Sequence, residues 1–244
     1  MYVTCIYNIY NNTDKILEYV RLFIPLAYSG LNIHLYTTSD LSHHFINYPK
    51  TVKVFVVPLK YLEFYNLGIN ENAELPNERN HDKDTREYLS LMNCKVEFLK
   101  RSSEICQDDN LIWIDFAILK LFNNLLQAFN YFKQIENTMF AKVNIPGCWY
   151  KGEALYLDSI HWRFCGSLLI VPRRWMQRFY NDCKSTYINF ILVHEKILTW
   201  EVNVWNHIEY YKGHDYIKWY YALHDDTMLI NLFENINPRT GKKI

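Results

Sequence analysis

The chain has 244 residues, half of them hydrophobic and 17% aromatic, enough for a large buried core. Its 26 basic and 26 acidic side chains balance to a net charge of zero, which argues against a general nucleic-acid binder, since such proteins carry a basic excess. Seven glycines and seven prolines leave little for long linkers or low-complexity segments, and no internal repeat is visible. No run is apolar over the length that crosses a bilayer, and strand-like sequence begins at Tyr2. The expectation is a cytoplasmic protein with reduced thiols. None of the six cysteines forms a CxxC pair, which argues against a zinc knuckle. Cys5 and Cys165 sit in apolar runs and are expected to be buried thiols.

In chain order, Tyr2 to Tyr7 is the first predicted strand. The polar cluster Asn11 to Asp14 is able to cap a helix from Lys15 to Ala27, where apolar residues recur at helical spacing and Pro25 is expected to bend or end it. Gly30 closes this unit before predicted strands at Asn32 to Thr37 and Val52 to Leu59. Residues from about Tyr61 to Lys83 are polar and irregular, a length that in a folded domain is often functional. A helix is predicted from Asp84 to Cys106, with Asp84 and Glu87 at its capped start. Leu111 to Ile118 reads as a central strand, apolar throughout except for Asp115 near its carboxyl end.

Helix follows from Leu119 to Ile135, then strands at Thr138 to Val143 and Phe164 to Val171. Pro172 is predicted to open a helix running to about Lys184. Further helix is expected across Thr186 to Glu209, and a short aromatic strand at Tyr216 to Tyr221. Met228 to Phe233 is apolar and packs near the end. Together these predict an α/β fold with a mixed, mostly parallel central sheet flanked by helices. They are expected to form a single domain over 1–244, in two halves at about 1–118 and about 119–244, the first starting with a strand–helix–strand–strand order of the nucleotide-binding type.

Four segments carry candidate chemistry. Asp115 inside an apolar strand costs several kcal/mol unless its charge is compensated, and in open α/β sheets the compensation is often a ligand or metal beyond the carboxyl ends of the strands. The alternative is a carboxylate that caps the following turn. Arg86 and Lys95 lie nine residues apart, so either can reach a phosphate at one end of their helix but not at one shared tight site; spacing alone favours two solvated helix charges. In Thr199 to Trp205, Trp200 and Trp205 flank Glu201 and Asn203. That pattern suits sugar rings on aromatic faces, or an amphipathic helix with a wet polar side. His224, Asp225 and Asp226 follow an aromatic run; they suit a metal-ligating loop or a turn capping the next helix. The other histidines (His34, His43, His44, His81, His161, His194, His207, His214) are expected to be structural or exposed.

The segments TREYLSLMNCKVEFL, LIWIDFAI, WRFCGSLLIV, TWEVNVW and WYYALHDDTMLIN together resemble the bacterial HtrL/YibB family, which is similar to the GT-A nucleotide-sugar glycosyltransferases. The resemblance spans Tyr2 to about Phe233. It implies a single GT-A-like domain that moves a sugar from a nucleotide-diphospho-sugar donor to an acceptor hydroxyl on a glycan or glycoconjugate. In that fold an Asp-x-Asp motif holds Mn²⁺ or Mg²⁺ against the donor diphosphate. Here the matching position reads Asp115-Phe116-Ala117, without the second carboxylate, so Asp115 and His224 would be the protein's metal ligands. Lys95 or Arg86 would supplement the cation. Tyr7, Asn8, Thr37 and Asp40 would contact the nucleoside, and Gly166 would let the sugar approach the backbone. Glu201 would be the general base in an inverting enzyme; in a retaining one, Glu201 or Asn203 would only bind the sugar. Trp200, Trp205 and Asp225 would bind the acceptor. Two other functions compete with transfer, a non-catalytic sugar- or nucleotide-binding protein on the same fold and a metal-dependent sugar-phosphate or nucleotide hydrolase.

Overall fold

The computed structural model describes residues 1–152, 157–193, 196–212 and 215–234. One mixed sheet organises them. Its strands are β1 (Tyr2–Cys5), β2 (Ile33–Thr37), β3 (Val52–Val56), β4 (Asn110–Ile114), β5 (Val143–Gly147), β6 (Leu168–Pro172) and β7 (Ile217–Tyr221), in the spatial order β3-β2-β1-β4-β6-β5-β7. β1 to β4 run parallel, β6 is antiparallel to both its neighbours, and β7 is parallel to β5. Six strands therefore point one way, and only β6 opposes them. The expected α/β fold with a mixed, mostly parallel sheet flanked by helices is the fold observed.

Strand alternation divides the core in two. On β4, Leu111 and Trp113 face one apolar cluster and Ile112 and Ile114 the other, as the two-residue period of a strand requires. The Trp113 face is covered by α4 (Arg86–Asn93), α5 (Lys95–Ile105), α7 (Arg173–Ile188) and α8 (Glu201–Tyr211), which supply Leu89, Phe98, Phe179 and Trp205. The other face is covered by α1 (Thr13–Ala27), α6 (Leu125–Glu136) and α9 (Thr227–Glu234), through Phe23, Phe132 and Leu229.

Several boundaries differ from expectation. The predicted helix from Asp84 to Cys106 is two helices meeting at Cys94, and its first turn is capped by Thr85, whose hydroxyl accepts from Tyr88 N. The polar stretch before it holds α3 (Glu63–Asn70), anchored by Phe64. β4 stops at Ile114, so Asp115 stands just past the strand, and Ile118–Leu121 is a 3₁₀ turn instead of strand. β5 and β6 lie downstream of their predicted starts, Thr138 and Phe164. Of the helical stretch expected from Thr186 to Glu209, the end of α7, a five-residue π turn at Asn189–Val193 and α8 are helical, and Lys196 to Trp200 is not. Pro25 does not end α1, which reaches Ala27, and Gly30 adopts the left-handed φ of 83° that closes the unit. His194 and His214 lie outside the described residues.

Candidate active site

The carboxyl ends of β1 and β4 open onto a cavity of about 660 Å³. The loop after β1 and the start of α1 line one side, from Cys5 to Tyr19. Residues 78–84 and α4 line another. Asp115, Gly166, Trp200, Glu201 and His224 complete it. This volume is in the range of small-molecule sites, and the position is where ligands bind in open α/β sheets.

Lys95 lies at the centre of the charged base. It is the first residue of α5, and its side chain is 3% exposed. Its ammonium donates to the Gly166 carbonyl at 2.9 Å and to Glu201 Oε1 at 2.7 Å, and pairs with Asp115 Oδ1 at 3.1 Å. Three donors thus meet three acceptors. The ammonium also stands 5.6 Å from the Trp113 ring centre, and the Trp113 indole N–H donates to Asp115 Oδ1 at 2.9 Å. Burial alone would lower the Lys95 pKa, but the adjacent Asp115 and Glu201 charges overcome it and hold the amine well above its ordinary value. Burial likewise pushes the Asp115 carboxyl up, and Lys95 and the indole hydrogen bond outweigh it, leaving the group below the usual carboxylate value. Glycine is required at 166 on steric grounds: a Cβ there would collide with Glu201 Oε1 and come 3.1 Å from Lys95 Nζ. Its missing side chain makes room for the ion pair.

The mouth of the cavity is basic and aromatic. Lys15 stands 5.9 Å from the Tyr10 ring centre and 5.8 Å from that of Tyr19; Lys120 is 5.5 Å from Tyr19, and Lys83 5.1 Å from Tyr88. These three exposed lysines have no carboxylate partner among the described residues. Tyr10 and Tyr88 stack with their centres 6.3 Å apart. Asp84 also lines the wall, buried; one of its oxygens takes Asn80 N at 3.1 Å, and Oδ1 has no hydrogen-bond partner among the described residues. None of these residues was singled out by sequence reasoning as a ligand contact. Lys15 offered a signal, standing in the first turn of the helix that follows β1, and Lys83 and Tyr88 bracketed the predicted helix start.

The sequence candidates divide. Tyr7, Asn8, Lys95, Asp115, Gly166, Trp200, Glu201 and His224 converge on the cavity. The Tyr7 hydroxyl is already committed to Val57 O, and Asn8 caps the turn at Asn12 N. Burial lowers the His224 pKa, so the imidazole is neutral near pH 7, and its ring meets Trp162 edge-on at 4.8 Å. The others do not line the cavity. Arg86 spends its guanidinium on the carbonyls of Gly68, Glu71 and Ala73, which pins the loop after α3. Thr37 is fully buried and donates to Ile6 O, and Asp40 lies in the first turn of the four-residue α2 (Ser39–Ser42). Asn203 holds Ser159 O, Thr199 Oγ1 and His161 N at 2.8 Å each, so it fixes a loop. Trp205 is core, 1% exposed, against Phe179. Asp225 accepts from Thr227 N at 2.9 Å at the start of α9, while Asp226 accepts from the Asn123 amide at 2.7 Å.

No family model matches the chain, and no curated protein does. Among solved structures it is similar to the glycosyltransferase GlyE of Streptococcus pneumoniae TIGR4, at 8% identity and a TM-score of 0.37, with 91% of this chain and 45% of that one covered. The apo form of GlyE matches with the same identity and TM-score, over 89% and 44% of the two chains. The chain spans less than half the length of these structures.

Proposed function

We propose that this protein is a glycosyltransferase that takes a nucleotide-diphospho-sugar donor and transfers the sugar to an acceptor hydroxyl. The observation that carries this reading is the pairing of a basic, tyrosine-lined cavity mouth with a fixed Asp115–Lys95–Glu201 cluster at its base. Tyr10, Tyr19 and Tyr88 offer faces for a nucleobase, and Lys15, Lys83 and Lys120 offer charge for a diphosphate. Departure of a nucleoside diphosphate develops negative charge on the leaving oxygens, and preorganised cations there stabilise the transition state. Asp115 and Glu201, held in place by Lys95, bind sugar hydroxyls at the base. Trp200 contributes an apolar wall to the acceptor side.

The residues suit Mn²⁺ or Mg²⁺ poorly. Both ions favour several oxygen ligands, whereas the carboxylates of Asp115 and Glu201 already share the Lys95 ammonium, and Asp115 Oδ1 also takes the Trp113 indole. Lysines therefore take the role of a divalent ion in this proposal. One observation favours a second reading, a silent nucleotide-sugar binder: Glu201 Oε1, the expected general base, is tied to Lys95 at 2.7 Å.

Titration calorimetry against UDP, GDP, CMP and their sugar conjugates, with chelator and then with Mn²⁺, tests both. Transfer predicts that at least one nucleotide binds in chelator and that its sugar conjugate slowly releases free nucleotide when acceptor glycans are added. Binding without release at any enzyme concentration selects the silent binder. No binding of any of them overturns the nucleotide-sugar reading.

A further inference from the structure

Three strand ends meet beside the cavity. Cys148 directly follows β5, Cys165 precedes β6, and His224 follows β7. Because β6 is antiparallel to β5 and β7 parallel to it, all three residues fall at one edge of the sheet. Backbone hydrogen bonds lock the segments together: Cys165 N donates to Pro146 O at 2.7 Å, Ala222 N to Gly147 O at 2.9 Å, and Cys148 N to Trp162 O at 3.0 Å. The two sulfurs are 3.5 Å apart, and the two sulfurs and an imidazole nitrogen all lie within 4.8 Å of one another. Neither ring nitrogen of His224 has a hydrogen-bond partner among the described residues, and the ring meets Trp162 edge-on.

We propose that Cys148, Cys165 and His224 form a Zn²⁺ site in the wall of the cavity. With metal–ligand distances of about 2.3 Å to sulfur and about 2.0 Å to nitrogen, tetrahedral geometry sets two thiolates about 3.8 Å apart and a thiolate and an imidazole about 3.5 Å apart. The sulfur pair stands a few tenths of an ångström from that arrangement, on backbone already fixed by the sheet. Two thiolates and an imidazole are soft ligands, which select Zn²⁺ over Mn²⁺ or Mg²⁺. On binding, each thiol gives its proton to solvent, two protons per ion, and the neutral imidazole donates its lone pair. Three protein ligands leave a fourth position for water or for a ligand oxygen. His224 itself lines the cavity, so the ion would stand next to whatever is bound there. Widely spaced single cysteines gave no zinc signature in the sequence, because the site is assembled by strand order. The proposal goes beyond sugar transfer and stands or falls without it.

The whole chain, purified in reducing buffer and given Zn²⁺ alone, should retain about one ion after gel filtration, measured by elemental mass spectrometry. Co²⁺ in its place should give thiolate-to-metal charge-transfer absorption in the near ultraviolet and the visible bands of a tetrahedral ion. Cys148→Ser and His224→Ala, both at partly buried positions, should each lose the retained ion and change the Co²⁺ spectrum while keeping the parent circular dichroism. Cys165→Ala should do the same at a buried position. Asp115→Asn should keep the ion. A reduced parent chain that retains no Zn²⁺ overturns the site. So does an ion that survives all three ligand variants, or one that is lost with Asp115→Asn and not with Cys148→Ser.

Discussion

The three hydrogens of the Lys95 ammonium are spoken for by Gly166 O, Glu201 and Asp115, and that determines what a substitution at any of the four positions does. Removing the cation leaves Glu201 buried with an unanswered charge. Lys95→Met should therefore cost about 3–5 kcal/mol of stability, the usual loss when one partner of a buried pair is deleted, read as a drop in the urea midpoint. A loss below about 1 kcal/mol would mean the pair behaves as a solvated one. The pH dependence has a definite sign. Asp115 titrates below the ordinary value of 3.8, so its contribution is present above that value and is lost as pH falls through the depressed one. Lys95 titrates above 10.5, so its contribution is present below that value and is lost as pH rises through the raised one. The melting temperature of the parent minus that of Lys95→Met should stay level between about pH 5 and pH 10 and shrink at both extremes. Sequence reading offered Lys95 and Arg86 alike as phosphate contacts or solvated charges and had no means of separating them. What separates them is long-range: two of the three partners of Lys95 lie 71 and 106 residues away, whereas Arg86 folds back on carbonyls 13 to 18 residues upstream.

Elements were legible where a local period expressed itself. The continuous apolar run of β4 and the helical spacing of α1 needed no partner to be read. The break between α4 and α5 was illegible because Cys94 keeps helical backbone angles, φ −72° and ψ −8°, and the apolar stripe runs on across it. The displaced start of β5 has a similar origin, since an edge of strand is settled by which neighbour it pairs with, here β7 from Val143 onward. β2 carries a testable consequence of its own. His34 is 1% exposed, stands edge-on to Phe55 of β3 at 4.9 Å, and neither ring nitrogen has a hydrogen-bond partner among the described residues. Burial first, then Lys53, lowers its pKa from 6.5 to about 4. The unfolded chain thus binds a proton that the folded chain refuses between those values, so stability is lost as pH falls from 6.5 toward 4. At about 1.4 kcal/mol per pH unit the loss reaches roughly 3 kcal/mol. His34→Leu should flatten that part of the stability profile in urea melts; a variant profile parallel to the parent's would assign the slope to other groups.

At the scale of the whole molecule, the sheet order puts the ends of β1 and β4 side by side, and the cavity follows from that placement. The strand–helix–strand start made the parallel half foreseeable. The reversed β6, and the pairing of β5 with β7 across 74 residues of register offset, were not foreseeable, because nothing local distinguishes a strand's direction. The overall charge is zero, so the molecule as a whole does not draw an anion toward itself. Affinity for a nucleoside diphosphate must then come from the few lysines at the mouth, within a few ångströms of the ligand. These are exposed, so salt screens them: the Debye length shrinks from roughly 14 Å at 0.05 M to roughly 4 Å at 0.5 M ionic strength. Binding measured by calorimetry should weaken over that range. One charge-assisted hydrogen bond is worth about 1.5 kcal/mol, so Lys83→Gln and Lys120→Gln should each raise Kd by about 10-fold at low salt and by less at high salt. Neither should alter the urea midpoint, since neither lysine has an ion-pair partner among the described residues. An affinity that ignores both salt and lysine would mean that these lysines do not hold the diphosphate.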